Sequence, residues 1–184
     1  MLHTLVAIVE NKPGVLNRVA SLFRRRNFNI ASLTVGETEN PDISRMTIVV
    51  DTKTTKPYIV TESLYKLVNV IEVRDLTERP SVQRDLVLLK VHTDSATRPE
   101  IMQFANLYHA KIVNVTRDCL MLEMTGAPNE VDNFVDIMRP FGIIEMVRTG
   151  AVAMEVGSNG HTRSNGHAKG NGHYIRPIAD REGV

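Results

Sequence analysis

Four consecutive residues, Asn11-Lys12-Pro13-Gly14, hold the most specific chemistry in the sequence. The segment before them, Leu2 to Val9, is apolar and β-prone, while Val15, Leu16, Val19, Ala20, Leu22 and Phe23 recur at helical spacing behind them. A strand therefore ends and a helix begins at this turn, leaving backbone N–H groups without intrahelical acceptors. Those donors act together with the helix dipole and attract carboxylates. Gly14 carries no side chain, so a ligand can approach its backbone, and Pro13 stiffens the entry. Asn11 offers an amide oxygen to an ammonium or its N–H₂ to a carboxylate. A free α-amino acid carries both groups. A well-capped strand-to-helix turn with no ligand would use the same residues, so the turn alone leaves both readings open.

Other chemistry-bearing residues point to less. No Gly-x-Gly-x-x-Gly follows a strand, and there is neither a phosphate-binding Gly-Lys-Ser/Thr loop nor a Gly-x-Ser-x-Gly elbow. Cys119, the sole cysteine, stands beside an apolar strand and reads as a partly buried structural thiol. His3, His92 and His109 are isolated in or near predicted strands and read as core or surface residues. Arg24-Arg25-Arg26 sits in the last turn of a helix, where cations complement the dipole. His161, His167 and His173 recur every six residues within Asn-Gly-His triplets. Such a chain could wrap loosely around Zn or Ni, but structural metal sites want four ligands at closer spacing, which favours a solvated linker.

The elements that must position these residues repeat. Strands at Leu2 to Val9, Phe28 to Val35, Ser44 to Val50 and Val70 to Leu76 enclose two helical segments. The first helix follows Gly14; the second carries Ile59, Val60, Ser63, Leu64 and Leu67 after a cap at Thr54-Thr55-Lys56-Pro57. After the polar segment Thr77-Glu78-Arg79-Pro80-Ser81 the same β-α-β-β-α-β order recurs. Its strands are Leu86 to His92, Lys111 to Thr116, Leu120 to Thr125 and Ile143 to Val147. Its helices open at a Thr97-Arg98-Pro99-Glu100 capping box and at Pro128. Each unit reads as a ferredoxin-like sandwich, an antiparallel sheet with both helices on one face, so the fold class is α+β. Open sheet edges in such small units predict at least a homodimer. From Gly157 the Gly, Ser, Asn and Lys content cannot offset chain entropy by burial, and a flexible tail is expected, ending in a Tyr174-Ile175-Arg176-Pro177-Ile178 segment.

Composition removes whole classes of function. The 184 residues carry a net charge of +1, too little for a broad nucleic-acid or anionic-membrane field. No apolar run approaches the roughly 18 residues a bilayer span requires. One cysteine rules out an internal disulfide and suits a reducing cytoplasm, and Met1-Leu2-His3-Thr4 lacks the features of a signal peptide.

Longer stretches carry a resemblance. Asn11 to Leu16, with its Asn-x-Pro-Gly-x-Leu pattern, is similar to the signature turn of ACT domains, which are ferredoxin-like effector-binding modules. Asn29-Ile30-Ala31-Ser32-Leu33-Thr34-Val35, Ile43 to Ile48 and Lys66 to Val70 resemble the small regulatory subunits of acetohydroxyacid (acetolactate) synthase. Val113 to Thr116 and Glu145-Met146-Val147-Arg148-Thr149-Gly150 resemble that family's C-terminal domain, so the likeness spans about residues 1–156 and leaves the Asn-Gly-His tail outside.

The resemblance implies an ACT effector-binding domain over residues 1–77, a linker over 78–83, an ACT-like C-terminal domain over 84–156 and the tail over 157–184. It implies a chain without catalytic residues that activates a separate catalytic large subunit and confers feedback inhibition by valine or another branched-chain amino acid. That partner would carry thiamine diphosphate, Mg²⁺ and FAD; this chain would carry none of them. It further implies an ACT-mediated homodimer with effector sites at the junction, Asn11 and Gly14 coming from one chain and Asn29 and Ile30 from the other. In that site the N–H groups of Gly14, Val15 and Leu16 would meet the effector carboxylate, the side-chain oxygen of Asn11 or Asn29 or a nearby carbonyl would meet its ammonium, and Leu16 and Ile30 would form apolar walls. The alternative is an ACT-type amino-acid-responsive transcription regulator, which would need a helix-turn-helix or a basic arm, and neither is visible.

Overall fold

A computed structural model describes residues 2–51 and 57–157. These group into two units, residues 2–81 joined by 153–157, and residues 82–152.

The first unit opens with β1 (Leu2–Glu10), whose alternation sends Leu5, Ala7 and Val9 to one face and Val6 and Ile8 to the other. Helix α1 (Val15–Arg26) buries Val15, Val19, Leu22 and Phe23, one stripe at i, i+4, i+7 and i+8. Its last turn holds Arg24, Arg25 and Arg26. Asn27 stops it by adopting φ 55°, which lets the Phe28 N–H reach back to the Phe23 carbonyl at 2.9 Å. Phe28 is thereby turned inward, edge-on to Phe23 at 5.6 Å, and the strand that was expected from Phe28 begins one residue later.

Strands β2 (Asn29–Glu37) and β3 (Ile43–Asp51), helix α2 (Pro57–Tyr65) and strand β4 (Val70–Asp75) complete the unit. The antiparallel sheet runs β2-β3-β1-β4. Val19 and Phe23 of α1 and Val60 and Leu64 of α2 join Leu5, Ala7 and Val9 in one core, which puts both helices on the same face. The sheet leaves β2 as one of its edges.

The second unit repeats this plan with β5 (Ser81–His92), α3 (Arg98–Leu107), β6 (Lys111–Val115), β7 (Cys119–Gly126), α4 (Pro128–Met138), a short 3₁₀ turn at Arg139–Phe141, and β8 (Ile143–Arg148). Its strand order, β6-β7-β5-β8, is the first unit's order again. The likeness reaches single residues. The second strand of each unit loses register across one residue, Ala31 in β2 and Val113 in β6. Each first helix ends at a residue with positive φ, Asn27 or His109, followed by a return bond, Phe28 to Phe23 or Ala110 to Ala105. Both units are therefore ferredoxin-like βαββαβ sandwiches, as the pattern predicted.

Two details differ from the sequence reading. Ser81 already belongs to β5, inside the segment read as a linker. A further strand, β9 (Val152–Glu155), was not anticipated; Ala153 packs with Val6 and Leu76 of the first unit, and its carbonyl accepts from Arg45 at 2.6 Å. The cap at Thr54 to Lys56 and the tail with His161, His167 and His173 lie outside the described residues.

Candidate functional site

The end of β1 and the start of α1 form the turn singled out in the sequence. Gly14 is the residue before the helix and has φ 84°, a left-handed conformation that only glycine adopts without strain. An added Cβ there would meet nothing within 4 Å, so the backbone faces open space. No side chain caps the helix. The Arg18 N–H makes the first regular bond, to the Gly14 carbonyl at 3.0 Å.

The Val15 N–H, one of the donors expected for a carboxylate, instead closes on the Lys12 carbonyl at 3.3 Å. Val15 itself is core. Among the described residues, the N–H groups of Gly14, Leu16 and Asn17 meet no acceptor. Leu16 stands beside them with 44% of its surface exposed, an apolar side chain left outside the core.

A polar network fixes this turn. Asn69, 8% exposed just before β4, accepts from the Arg18 guanidinium and donates to Glu10 Oε2 at 2.6 Å, while the Glu10 N–H reaches the Asn69 carbonyl at 2.9 Å. Lys12 pairs with Glu10 at 3.4 Å. The end of β1, the first turn of α1 and the approach to β4 are thus tied to one buried amide. The sequence reading missed this network, since Asn69 lies 59 residues from Glu10.

Asn11 is held from the other side. Its N–H donates to the Asp42 carbonyl at 2.7 Å, and its side-chain Nδ2 donates to Glu37 Oε1 at 3.1 Å and to the Pro41 carbonyl at 2.8 Å. Both neighbours of Nδ2 are pure acceptors, which fixes the amide orientation and leaves Oδ1 as the atom available to a ligand.

Asn29 and Ile30 are elsewhere in the chain. Asn29 pairs with Asp51 and Glu37 with Ser44, so Asn29 is at the opposite end of β2 from the Asn11 turn. At strand rise the separation is about 25 Å. Within one chain, the structure brings Asn11, Gly14 and Leu16 together and leaves Asn29 and Ile30 apart from them.

The second unit has the corresponding turn, after β5 and before α3, but fills it. Asp94 Oδ1 accepts from the Ala96 N–H at 2.9 Å, the Thr97 N–H at 2.7 Å and the Thr97 hydroxyl at 2.9 Å. The Thr97 backbone bond, then its hydroxyl and the Ala96 bond, hold this carboxyl below its ordinary 3.8. Thr97 was expected to cap α3, with Glu100 completing a box; its hydroxyl serves Asp94 instead and makes no cap.

Of the remaining candidates, Cys119 is half-buried with its Sγ 3.0 Å from the Thr116 hydroxyl. His3 Nδ1 lies 3.8 Å from Asp75. Among the described residues no three His, Cys, Asp or Glu side chains converge as a metal site, and no helix is long and apolar enough to cross a membrane.

Comparison with known proteins agrees with this architecture. Residues 5–72 match the model described as an AHAS small subunit-like ACT domain, and residues 84–157 match that of the small subunit of acetolactate synthase. The chain is 51% identical over 158 residues to a probable acetolactate synthase small subunit of Archaeoglobus fulgidus, covering 86% of this chain and 99% of that one. It is 46% identical to the acetolactate synthase small subunit of Mycolicibacterium smegmatis, covering 86% and 94%. The crystal structure of an acetolactate synthase small subunit from Thermotoga maritima superposes with a TM-score of 0.78 at 38% identity, covering 86% of this chain and 99% of that one. With two matching domain models in tandem and relatives aligned over most of their length, the chain belongs to the acetolactate synthase small-subunit family.

Proposed function

We propose that this chain is the regulatory subunit of an acetolactate synthase. It raises the activity of a separate catalytic large subunit and makes that subunit sensitive to feedback inhibition by a branched-chain amino acid, valine foremost. Thiamine diphosphate, Mg²⁺ and FAD belong to the partner in this reading. The observation that carries it is the open Gly14 turn, with unfilled N–H groups at Gly14, Leu16 and Asn17, in a chain of this family.

The site is completed by a second copy of the chain. β2 is an edge of the sheet, and antiparallel pairing of two β2 strands about their midpoints sets Asn29 and Ile30 of one protomer against Gly36 and Glu37 of its partner. Glu37 holds Asn11, so this pairing carries Asn29 and Ile30 to the Gly14 turn. The effector carboxylate meets the helix donors, and its aliphatic side chain lies between Leu16 and the partner's Ile30. A ligand that bridges two chains favours one dimer arrangement by its differential affinity, and only such a difference can reach the large subunit. The Asp94-filled turn of the second unit takes no effector, so one site per chain is expected.

Purified large subunit assayed with and without this chain, then with valine, tests the reading. The chain is expected to raise acetolactate formation and valine to reverse the gain. An unchanged rate on adding the chain would refute it.

A further inference from the structure

The Gly14 turn has helix donors for an anion, and Asn11 at its start is bonded to a carboxylate that has no cation partner among the described residues. The Glu37 carboxylate has one recorded partner among the described residues, the Asn11 Nδ2 at 3.1 Å. No Lys, Arg or His there lies within ion-pair distance of it, although Glu10 beside the same turn is paired with Lys12 and Glu72 with Arg74. Glu37 closes β2, pairs with Ser44 and is exposed, and among the described residues of one protomer its Oε2 has no donor. Asn11 spends both amide hydrogens on Glu37 and the Pro41 carbonyl, and its Oδ1 accepts no bond among the described residues. One turn, running from Asn11 to the start of α1, thus carries acceptor oxygens without a donor and N–H groups without an acceptor in the single protomer.

We propose that Glu37 is the ammonium-binding residue of the effector site, and the residue by which the site separates an α-amino acid from a 2-keto acid of the same carbon skeleton. The proposal rests on the effector-site reading given above. Helix donors bind any carboxylate, amino acid or keto acid alike. An ammonium beside them supplies hydrogens to Glu37 Oε2 and Asn11 Oδ1 and neutralises the carboxylate by a charge-assisted bond. A keto oxygen at the same place presents an acceptor to two acceptors and leaves Glu37 uncompensated. Sites built to hydrogen-bond a group reject analogues lacking it more strongly than apolar pockets reject a missing methylene.

The test is calorimetric titration of the full chain with valine and with 3-methyl-2-oxobutanoate, its keto analogue, for wild type and Glu37→Gln. Glutamine keeps an acceptor for Asn11 but removes the charge. Wild type is expected to prefer valine by at least about tenfold. In Glu37→Gln, valine should weaken by about tenfold or more while the keto acid holds or tightens, so that the preference collapses. Retained keto-acid binding shows that the variant's site is intact. An unchanged preference, or equal weakening or loss of both ligands, would overturn the role of Glu37 and leave the effector site standing. Failure of wild type to bind valine would remove the effector-site reading and this proposal with it.

Discussion

At Gly14 the local conformation bears directly on the proposed ligand chemistry. Its φ of 84° and the open space where a Cβ would stand mean that a side chain fits sterically but strains the backbone. Gly14→Asp should abolish valine inhibition of the holoenzyme, since its carboxylate competes for the N–H groups of Leu16 and Asn17. Gly14→Asn carries similar left-handed tolerance without the charge and should retain part of the inhibition. Dose–response curves with valine distinguish the two; equal loss would assign the effect to the backbone alone. A second residue-level prediction concerns Asp85, 5% exposed and paired with Arg148 at 2.6 Å. Arg148→Met strands that buried carboxylate and should cost about 3 kcal/mol of unfolding free energy, measured by urea denaturation. The Asn-x-Pro-Gly pattern was legible in the sequence because its chemistry is local. The bonding of Asn11 was not legible, because the Glu37 and Pro41 groups that take its amide hydrogens lie 26 and 30 residues away.

Among the elements, two turns with the same topology have opposite fillings. The Gly14 turn is open, whereas Asp94 takes the N–H groups of Ala96 and Thr97 just before α3. Because its hydrogen bonds hold Asp94 below the ordinary 3.8, its stabilisation is fully present above that value and is lost as pH falls through the lowered one. Asp94→Asn should therefore melt below wild type at pH 7, with the gap closing under strongly acidic conditions; a pH-independent gap in thermal melts would contradict this. Cores behave as their patterns require. Phe23 is 1% exposed and stacked edge-on against Phe28, so Phe23→Ala should cost about 3 to 5 kcal/mol by denaturation. Helical and strand periods gave the eight principal strands and four helices nearly in register, since each period reports one buried face. β9 and the start of β5 escaped, because their partners are distant: Glu155 meets Arg79 and Ala153 meets Arg45, 76 and 108 residues away. Pro80 and its polar neighbours have a linker's composition, and their pairing partner is invisible in any local window. The single-residue slips at Ala31 and Val113 are equally invisible to alternation, which counts residues and not ladder bonds.

At the scale of the whole molecule, the proposed effector site belongs to two chains. A single protomer keeps Asn29 at the far end of β2 from Asn11, so the proposed site needs a second copy of the chain to bring them together. Complementation measures this directly. Chains carrying Asn29→Ala and chains carrying Gly14→Asp should each bind valine poorly as homodimers. After subunit exchange, half the dimers are mixed and each of these has one intact site, so about a quarter of all sites should recover wild-type affinity. Recovery of that fraction in a calorimetric titration is the predicted result. Demonstrated mixed dimers that still fail to bind valine, or a monomer that binds it at full affinity, would contradict the shared site.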